Sequence, residues 1–138
     1  YNQSTKIILY LSKFYKNIYE MIFMIQKEVA IKFDYNIVGM NKYKFINKMI
    51  FEYKRCFNVP PSVFIPKPKV ESTIIKFQTK NIEINYDKMN DFISKIFKNK
   101  RKTLRNKINL KKINDVSILR KRIDQLSIKE LLYIYNIF

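Results

Sequence analysis

Met21-Ile22-Phe23-Met24-Ile25 is a run of five large apolar residues without a polar interruption, and its reading decides the class of fold. A strand covered on one face alternates apolar and polar residues, whereas one covered on both, as in a parallel sheet, reads as continuous apolar sequence. The run therefore predicts a buried strand of a parallel sheet. Upstream, Ile7, Leu11, Phe14 and Ile18, with Ile8 and Tyr15 beside them, recur at helical spacing behind Ser4 as an N-cap, so residues 5–19 are expected to form an amphipathic helix. Downstream, Gln26 to Phe33 reads as a brief helix, 34–42 as a loop around Gly39, and 43–53 as another amphipathic stretch through Phe45, Ile46, Met49, Ile50 and Tyr53. Helix, buried strand and helix together suggest the tail end of an α/β sheet.

All four prolines, Pro60, Pro61, Pro66 and Pro68, fall within nine residues. A segment so restricted in φ and so poor in donors is a fixed, irregular loop. After it, Val70 to Phe77 alternates as a strand, with β-branched Val70, Thr73, Ile74 and Ile75. From Asp87 onward only helices are expected. Met89, Phe92, Ile93, Ile96 and Phe97 share one helical face, a very basic segment carries Leu104 and Ile108, and Ser127-Ile-Lys-Glu130 is a capping box opening a last helix. The change in composition places a boundary near 79–86, giving domains 1–79 and 80–138.

Composition narrows the chemistry. The 138 residues contain one glycine, Gly39, so neither a dinucleotide-binding nor a Walker-type glycine loop is encoded. There is no histidine and a single cysteine, Cys56, which excludes zinc sites, histidine-based triads, Cys–His dyads and disulfide frameworks. Cys56 is expected to be a small buried hydrophobe. No apolar run approaches the roughly 18 residues of a membrane span. A lone reduced cysteine suits the cytoplasm or an organellar matrix. The chain begins with Tyr1 and reads as a piece of something longer.

Against 11 Asp and Glu stand 28 Lys and Arg, a formal net charge of +17. So large an excess points to a polyanionic partner, nucleic acid before an anionic membrane. The charge divides as +8 over residues 1–79 and +9 over 80–138. Residues 95–112 hold nine basic side chains and no acid. Helical phase is expected to gather Lys98, Lys102 and Arg105 on one stripe facing phosphates.

Two strings name a family. Val59-Pro-Pro-Ser-Val-Phe-Ile-Pro-Lys-Pro-Lys-Val-Glu-Ser72 resembles the F-x-P-x-P-x-V-x-S motif, and Phe97-Lys-Asn-Lys-Arg-Lys-Thr-Leu-Arg-Asn106 the R-R-K-T-L-R-N motif, of the ribosomal RNA adenine dimethyltransferases. Tyr1-Asn-Gln-Ser-Thr5 is similar to the end of N-L-P-Y-N-x-S-T, Met24-Ile-Gln-Lys-Glu-Val-Ala30 to M-x-Q-K-E-V-A, and Arg122-Ile-Asp-Gln-Leu-Ser127 to R-x-E-x-L-S. All five occur in the family's order.

The resemblance implies the C-terminal part of a Rossmann-like S-adenosylmethionine methyltransferase domain followed by a small all-helical RNA-binding domain. It implies methyl transfer from S-adenosylmethionine to adenines of small-subunit rRNA, with pre-ribosomal small subunits as partner, no membrane, no metal, and a monomer when complete. Tyr1 and Phe64 would stack on a flipped adenine. Lys100, Arg101, Lys102 and Arg105, with Lys98 beside them, would lie along the RNA backbone. Such chemistry needs a gripped, unstacked base in line with a sulfonium methyl group and no histidine. The cofactor site is expected upstream of Tyr1, so the 138 residues alone would not turn over. Rival readings are a non-catalytic nucleic-acid-binding relative resembling mitochondrial transcription factor B, and a resistance methyltransferase acting on large-subunit rRNA. Lys102-Thr-Leu-Arg-Asn106 favours the small-subunit enzymes over the latter. Two departures stand out: Lys44 replaces a usual glycine, and Lys100 replaces the first arginine of R-R-K-T.

Overall fold

The computed structural model describes residues 3–99, 101–107 and 113–138, without the side chain of Asn106. The chain divides into two compact units that interleave in sequence. One holds the residues up to Asp34 with Ile46–Ile82, the other Tyr35–Phe45 with Glu83–Phe138.

The first unit is α/β. Its helices α1 (Ser4–Ser12) and α2 (Lys27–Ile31), and the end of α3 (Lys42–Ile50), accompany strands β1 (Glu20–Gln26), β2 (Phe51–Val59) and β3 (Ser72–Thr79). The sheet order is β1-β3-β2, and both pairings are antiparallel. This corrects the reading of Met21–Ile25 as a strand covered on both faces of a parallel sheet. Met21 and Ile25 are buried, but Ile22 and Met24 are 61% and 44% exposed. Among the described residues β1 is an edge strand paired with β3 alone, and its burial follows the two-residue period of a sheet covered on one side.

Phe77 anchors the covered face. Its ring lies 5.5 Å from Phe33, 5.5 Å from Phe51, 5.2 Å from Tyr53 and 6.1 Å from Phe23, mostly edge-on. The Tyr53 hydroxyl donates to the Ala30 carbonyl at 2.8 Å, so the phenol is paired as well as packed. Burial, reinforced by the Asp34 charge, raises the Tyr53 pKa and keeps the donor protonated. Asp34 also pairs with Arg55 at 3.3 Å.

Strand β2 departs from the helical pattern that the apolar spacing carries through Tyr53. Phe45, Ile46, Ile50 and Phe51 are all buried, so the apolar residues continue across the junction while the backbone changes from helix to strand. A bulge then shifts the register between Arg55 and Phe57. The extra residue is Cys56, which is exposed rather than buried. Beyond the bulge Phe57 pairs with Ile74 on the open face and is 63% exposed, while Asn58 pairs with Thr73.

The N-terminal segment also differs from expectation. Helix α1 stops at Ser12, whose hydroxyl donates to the Leu9 carbonyl at 2.7 Å, and a 3₁₀ turn follows at Tyr15–Asn17. Ser4 is the first helical residue, not a cap. The buried side is Ile8, Ser12 and Tyr15, and Ile7 and Phe14 face outward. Apolar residues cover more than half the helix surface, so their spacing alone could not choose the phase.

In the second unit the described elements are the start of α3, then α4 (Tyr86–Ile96), α5 (Val116–Arg120) and α6 (Ile128–Ile137), joined by 3₁₀ turns. Asn85 caps α4 by accepting the Lys88 N–H at 2.9 Å. The expected capping box opens α6: Ser127 accepts from the Glu130 N–H at 3.2 Å, and Glu130 from the Ser127 N–H at 2.8 Å. Phe45, Phe92 and Tyr135 form a ring cluster at 5.1–5.6 Å, with Phe138 5.2 Å from Phe92. Lys44 is 2% exposed, and its ammonium donates to the carbonyls of Ile37, Val38 and Gly39 at 2.5, 3.3 and 2.8 Å. Gly39, at φ +91°, supplies the left-handed turn that this loop requires.

Candidate nucleic-acid interface

Two surfaces carry the residues singled out by sequence, one on each unit. On the first, the proline-rich loop connects β2 to β3. Val59 pairs with Ser72, which also pairs with Gln26, so the ends of β1 and β2 flank the start of β3. Thr73 donates its hydroxyl to Asn58 at 2.9 Å across the base of the loop. Lys27 ties down the far side. Its N–H donates to the Glu71 carbonyl at 3.0 Å and its ammonium meets the Glu71 carboxylate at 2.7 Å. The Gln26-Lys27-Glu28 string and the proline string are separate in sequence; this pair joins them, and two opposite charges in two matched strings were the available signal.

Within the loop, Pro61–Val63 forms a 3₁₀ turn closed by Val63 N–H to Pro60 and Phe64 N–H to Pro61 carbonyls. Phe64 follows in extended conformation, φ −109° and ψ 146°, and is half-buried. Proline on both sides limits the backbone states available to it, which lowers the entropy lost when its ring is engaged. Tyr1 lies outside the described residues. Lys67 and Lys69 are exposed.

On the second unit the basic segment is not the helix that was expected. Helix α4 ends at Ile96, and Asn99 takes a left-handed φ of 55°. Asparagine tolerates this conformation, and it turns the chain out of the helical path. Thr103 then forms an antiparallel bridge with Arg122, Leu104 N–H donates to the Lys121 carbonyl at 3.0 Å, and a 3₁₀ turn spans Leu104–Asn106. The helical stripe of Lys98, Lys102 and Arg105 is therefore not formed. Leu104, fully buried, holds the segment down, and Lys98, Arg101, Lys102 and Arg105 remain exposed. Lys100 lies outside the described residues.

The bridge brings a second basic string, Arg120-Lys121-Arg122, alongside the first, which counting charges along the sequence did not reveal. Lys121 is engaged with Glu130 at 2.6 Å, and Arg122 is 3.8 Å from Asp124. Lys107 belongs to the fold instead: its ammonium donates to the Ile96 carbonyl at 2.6 Å, at the end of α4. Burial holds its pKa below the ordinary lysine value, with Asp124 pulling the other way.

The methyl donor implied by the resemblance would need groups that hold it. Among the described residues no three His, Cys, Asp or Glu side chains converge as metal ligands, and no helix is long and apolar enough to cross a membrane. S-adenosylmethionine offers a ribose diol, a sulfonium and an ammonium, which call for acceptors and negative charge. At the strand ends Glu71 is already neutralised by Lys27, and the loop beyond carries lysines. These residues do not form a site for it.

A family model described as ribosomal RNA adenine dimethylase matches residues 1–138. Ribosomal RNA small subunit methyltransferase A of Hydrogenobaculum sp. (strain Y04AAS1) is 34% identical over 138 residues, covering 99% of this chain and 54% of the relative. The protein of the same name from Legionella pneumophila (strain Corby) is 36% identical over 142 residues, covering 94% and 55%. The chain thus spans about half the length of the curated relatives it matches. The crystal structure of a dimethyladenosine transferase from Plasmodium falciparum superposes with a TM-score of 0.69 at 21% identity, covering 99% of this chain and 64% of that one. That of the 23S rRNA methyltransferase ErmE gives 0.75 at 14%, covering 99% and 61%. Both share this fold, and the agreement extends well beyond the two motif strings: the chain belongs to the ribosomal RNA adenine dimethylase family.

Proposed function

We propose that this chain is the substrate-facing part of an S-adenosylmethionine-dependent rRNA adenine N6,N6-dimethyltransferase that acts on small-subunit rRNA. The first unit is read as the end of a Rossmann-like catalytic domain and the second as a helical RNA-binding domain. The observation that carries the reading is Phe64, held half-buried and extended by a proline-locked loop at the ends of the strands. There its ring can stack on an unpaired adenine, an interaction worth about 1–3 kcal/mol per base. Tyr1 is read as the opposing aromatic.

Lys98, Lys100, Arg101, Lys102 and Arg105 are read as groups that touch the RNA backbone. They position the RNA and leave recognition to its shape. The methyl donor is read as bound by the remainder of a longer protein, because the residues at the strand ends do not fit it. When bound, it supplies an electrophilic methyl group; the residues of this chain hold the adenine and exclude water from its faces.

In the complete protein, Phe64→Ala is expected to lower methylation of rRNA by about 10-fold or more while RNA affinity falls by less. Equal losses in both would show that Phe64 packs rather than grips the base.

A further inference from the structure

The loop that holds Phe64 exposes two aliphatic side chains on either side of it. Val63 is 61% exposed and Ile65 101% exposed. A single exposed aliphatic residue is ordinary. Three further features make this pair different. Pro60 and Pro61 precede it, and Pro66 and Pro68 follow, so the backbone presenting the tip is restrained. Lys67 and Lys69 extend beyond the tip, both exposed, and no acidic residue occurs from Val59 to Val70. The first carboxylate after the tip, Glu71, is turned to Lys27 at 2.7 Å and does not neutralise these lysines.

A stiff loop bearing a solvent-directed aliphatic side chain followed by unneutralised lysines matches the requirements for separating stacked bases. Proteins that unstack nucleic acid insert apolar wedges between base steps while cations hold the backbone. Insertion into a membrane surface needs a much larger apolar face than two side chains supply. We propose that Ile65 is such a wedge. It enters the RNA stack beside the adenine that Phe64 faces, with Val63 supporting it and Lys67 and Lys69 taking neighbouring phosphates. The proposal rests on the reading of Phe64 given above and adds to it the residues that would open the stack.

The test uses the complete protein and an RNA stem-loop carrying 2-aminopurine at the base next to the target adenine, whose fluorescence rises on unstacking. The unaltered protein is expected to produce the rise. Ile65→Ala is expected to bind about 10-fold more weakly and to produce none at saturation, and Ile65→Met to restore it. Lys67→Gln with Lys69→Gln is expected to keep the rise at saturation but to flatten the salt dependence of binding by about 1.4 log units, for two phosphates of a single strand. Circular dichroism melts check that each variant folds. The proposal is overturned if Ile65→Ala retains both affinity and fluorescence rise. It is equally overturned if Ile65→Ala affects only binding to phosphatidylserine vesicles, which would make the tip a membrane anchor. If Phe64→Ala leaves methylation intact while Ile65→Ala still abolishes the rise, the reading of Phe64 fails and the wedge stands.

Discussion

Lys44 shows how one substitution relative to a family pattern is absorbed. Its ammonium is enclosed by three carbonyls of the loop that Gly39 turns, so its charge is solvated by backbone instead of water. Lys44→Ala strips those carbonyls of their donor, and the expected loss is about 1–3 kcal/mol in urea unfolding. Lys107 teaches the complementary lesson. Along the sequence it is one of nine cations in an acid-free segment; in the fold it closes the end of α4. Lys107→Met is therefore expected to cost about 1 kcal/mol of stability and to leave the salt dependence of RNA binding unchanged. Arg105→Gln, at an exposed position, is expected to do the reverse. Charge could be counted from the sequence, but where each ammonium points could not, because that depends on which carbonyl the fold leaves within reach.

Among the elements, α6 was legible at its start. Its capping box is local, spanning four residues, so no distant partner is needed to form it. Ser127→Ala is expected to cost about 1 kcal/mol by thermal or urea unfolding. Glu130 adds a pH dependence. Burial pushes its carboxyl up, but hydrogen bonds from Lys121 and from the Ser127 N–H and hydroxyl, with the Lys121 charge, outweigh it, and the net pKa is lowered. A carboxylate held below its unfolded value contributes stability above the ordinary glutamate pKa of 4.5 and loses it as pH falls through the folded value. Glu130→Gln is expected to flatten the stability–pH curve in that acid range.

The path from α3 to β2 was not legible, since Phe45 through Tyr53 satisfies a helical pattern while the chain turns at Ile50. The bulge at Cys56 was equally hidden. A bulge is defined by its partner strand, and β3 lies more than a dozen residues away in sequence. Deleting Cys56 removes the extra residue while leaving Phe57 opposite Ile74 and Asn58 opposite Thr73, so the register is expected to survive and the urea midpoint to fall only through the lost local bend of β2. Cys56→Ala, at an exposed site, is expected to change stability by less than about 0.5 kcal/mol.

For the molecule as a whole, the +17 charge implies strong salt dependence. Neutralising Lys100, Arg101, Lys102 and Arg105 is expected to weaken rRNA binding and to flatten its salt slope by roughly 0.7–0.9 log units for each phosphate no longer neutralised, as read from a binding titration against ionic strength. An unchanged slope would make the cluster a solvated face. The 138 residues alone are expected to give no methyl transfer to rRNA, since the residues at the strand ends do not suit the donor and the chain spans about half the length of the curated relatives it matches. Motif order and composition were sufficient for the family, for the α/β character of the first unit and for the proline loop, because covalent restriction by proline and short-range capping act within a few residues. The antiparallel order β1-β3-β2, the open face of Ile22, Met24 and Phe57, and the bridge that joins Thr103 to Arg122 came only from the folded chain. Each is a pairing between distant segments, and an apolar residue records that it can be buried without recording which partner will bury it.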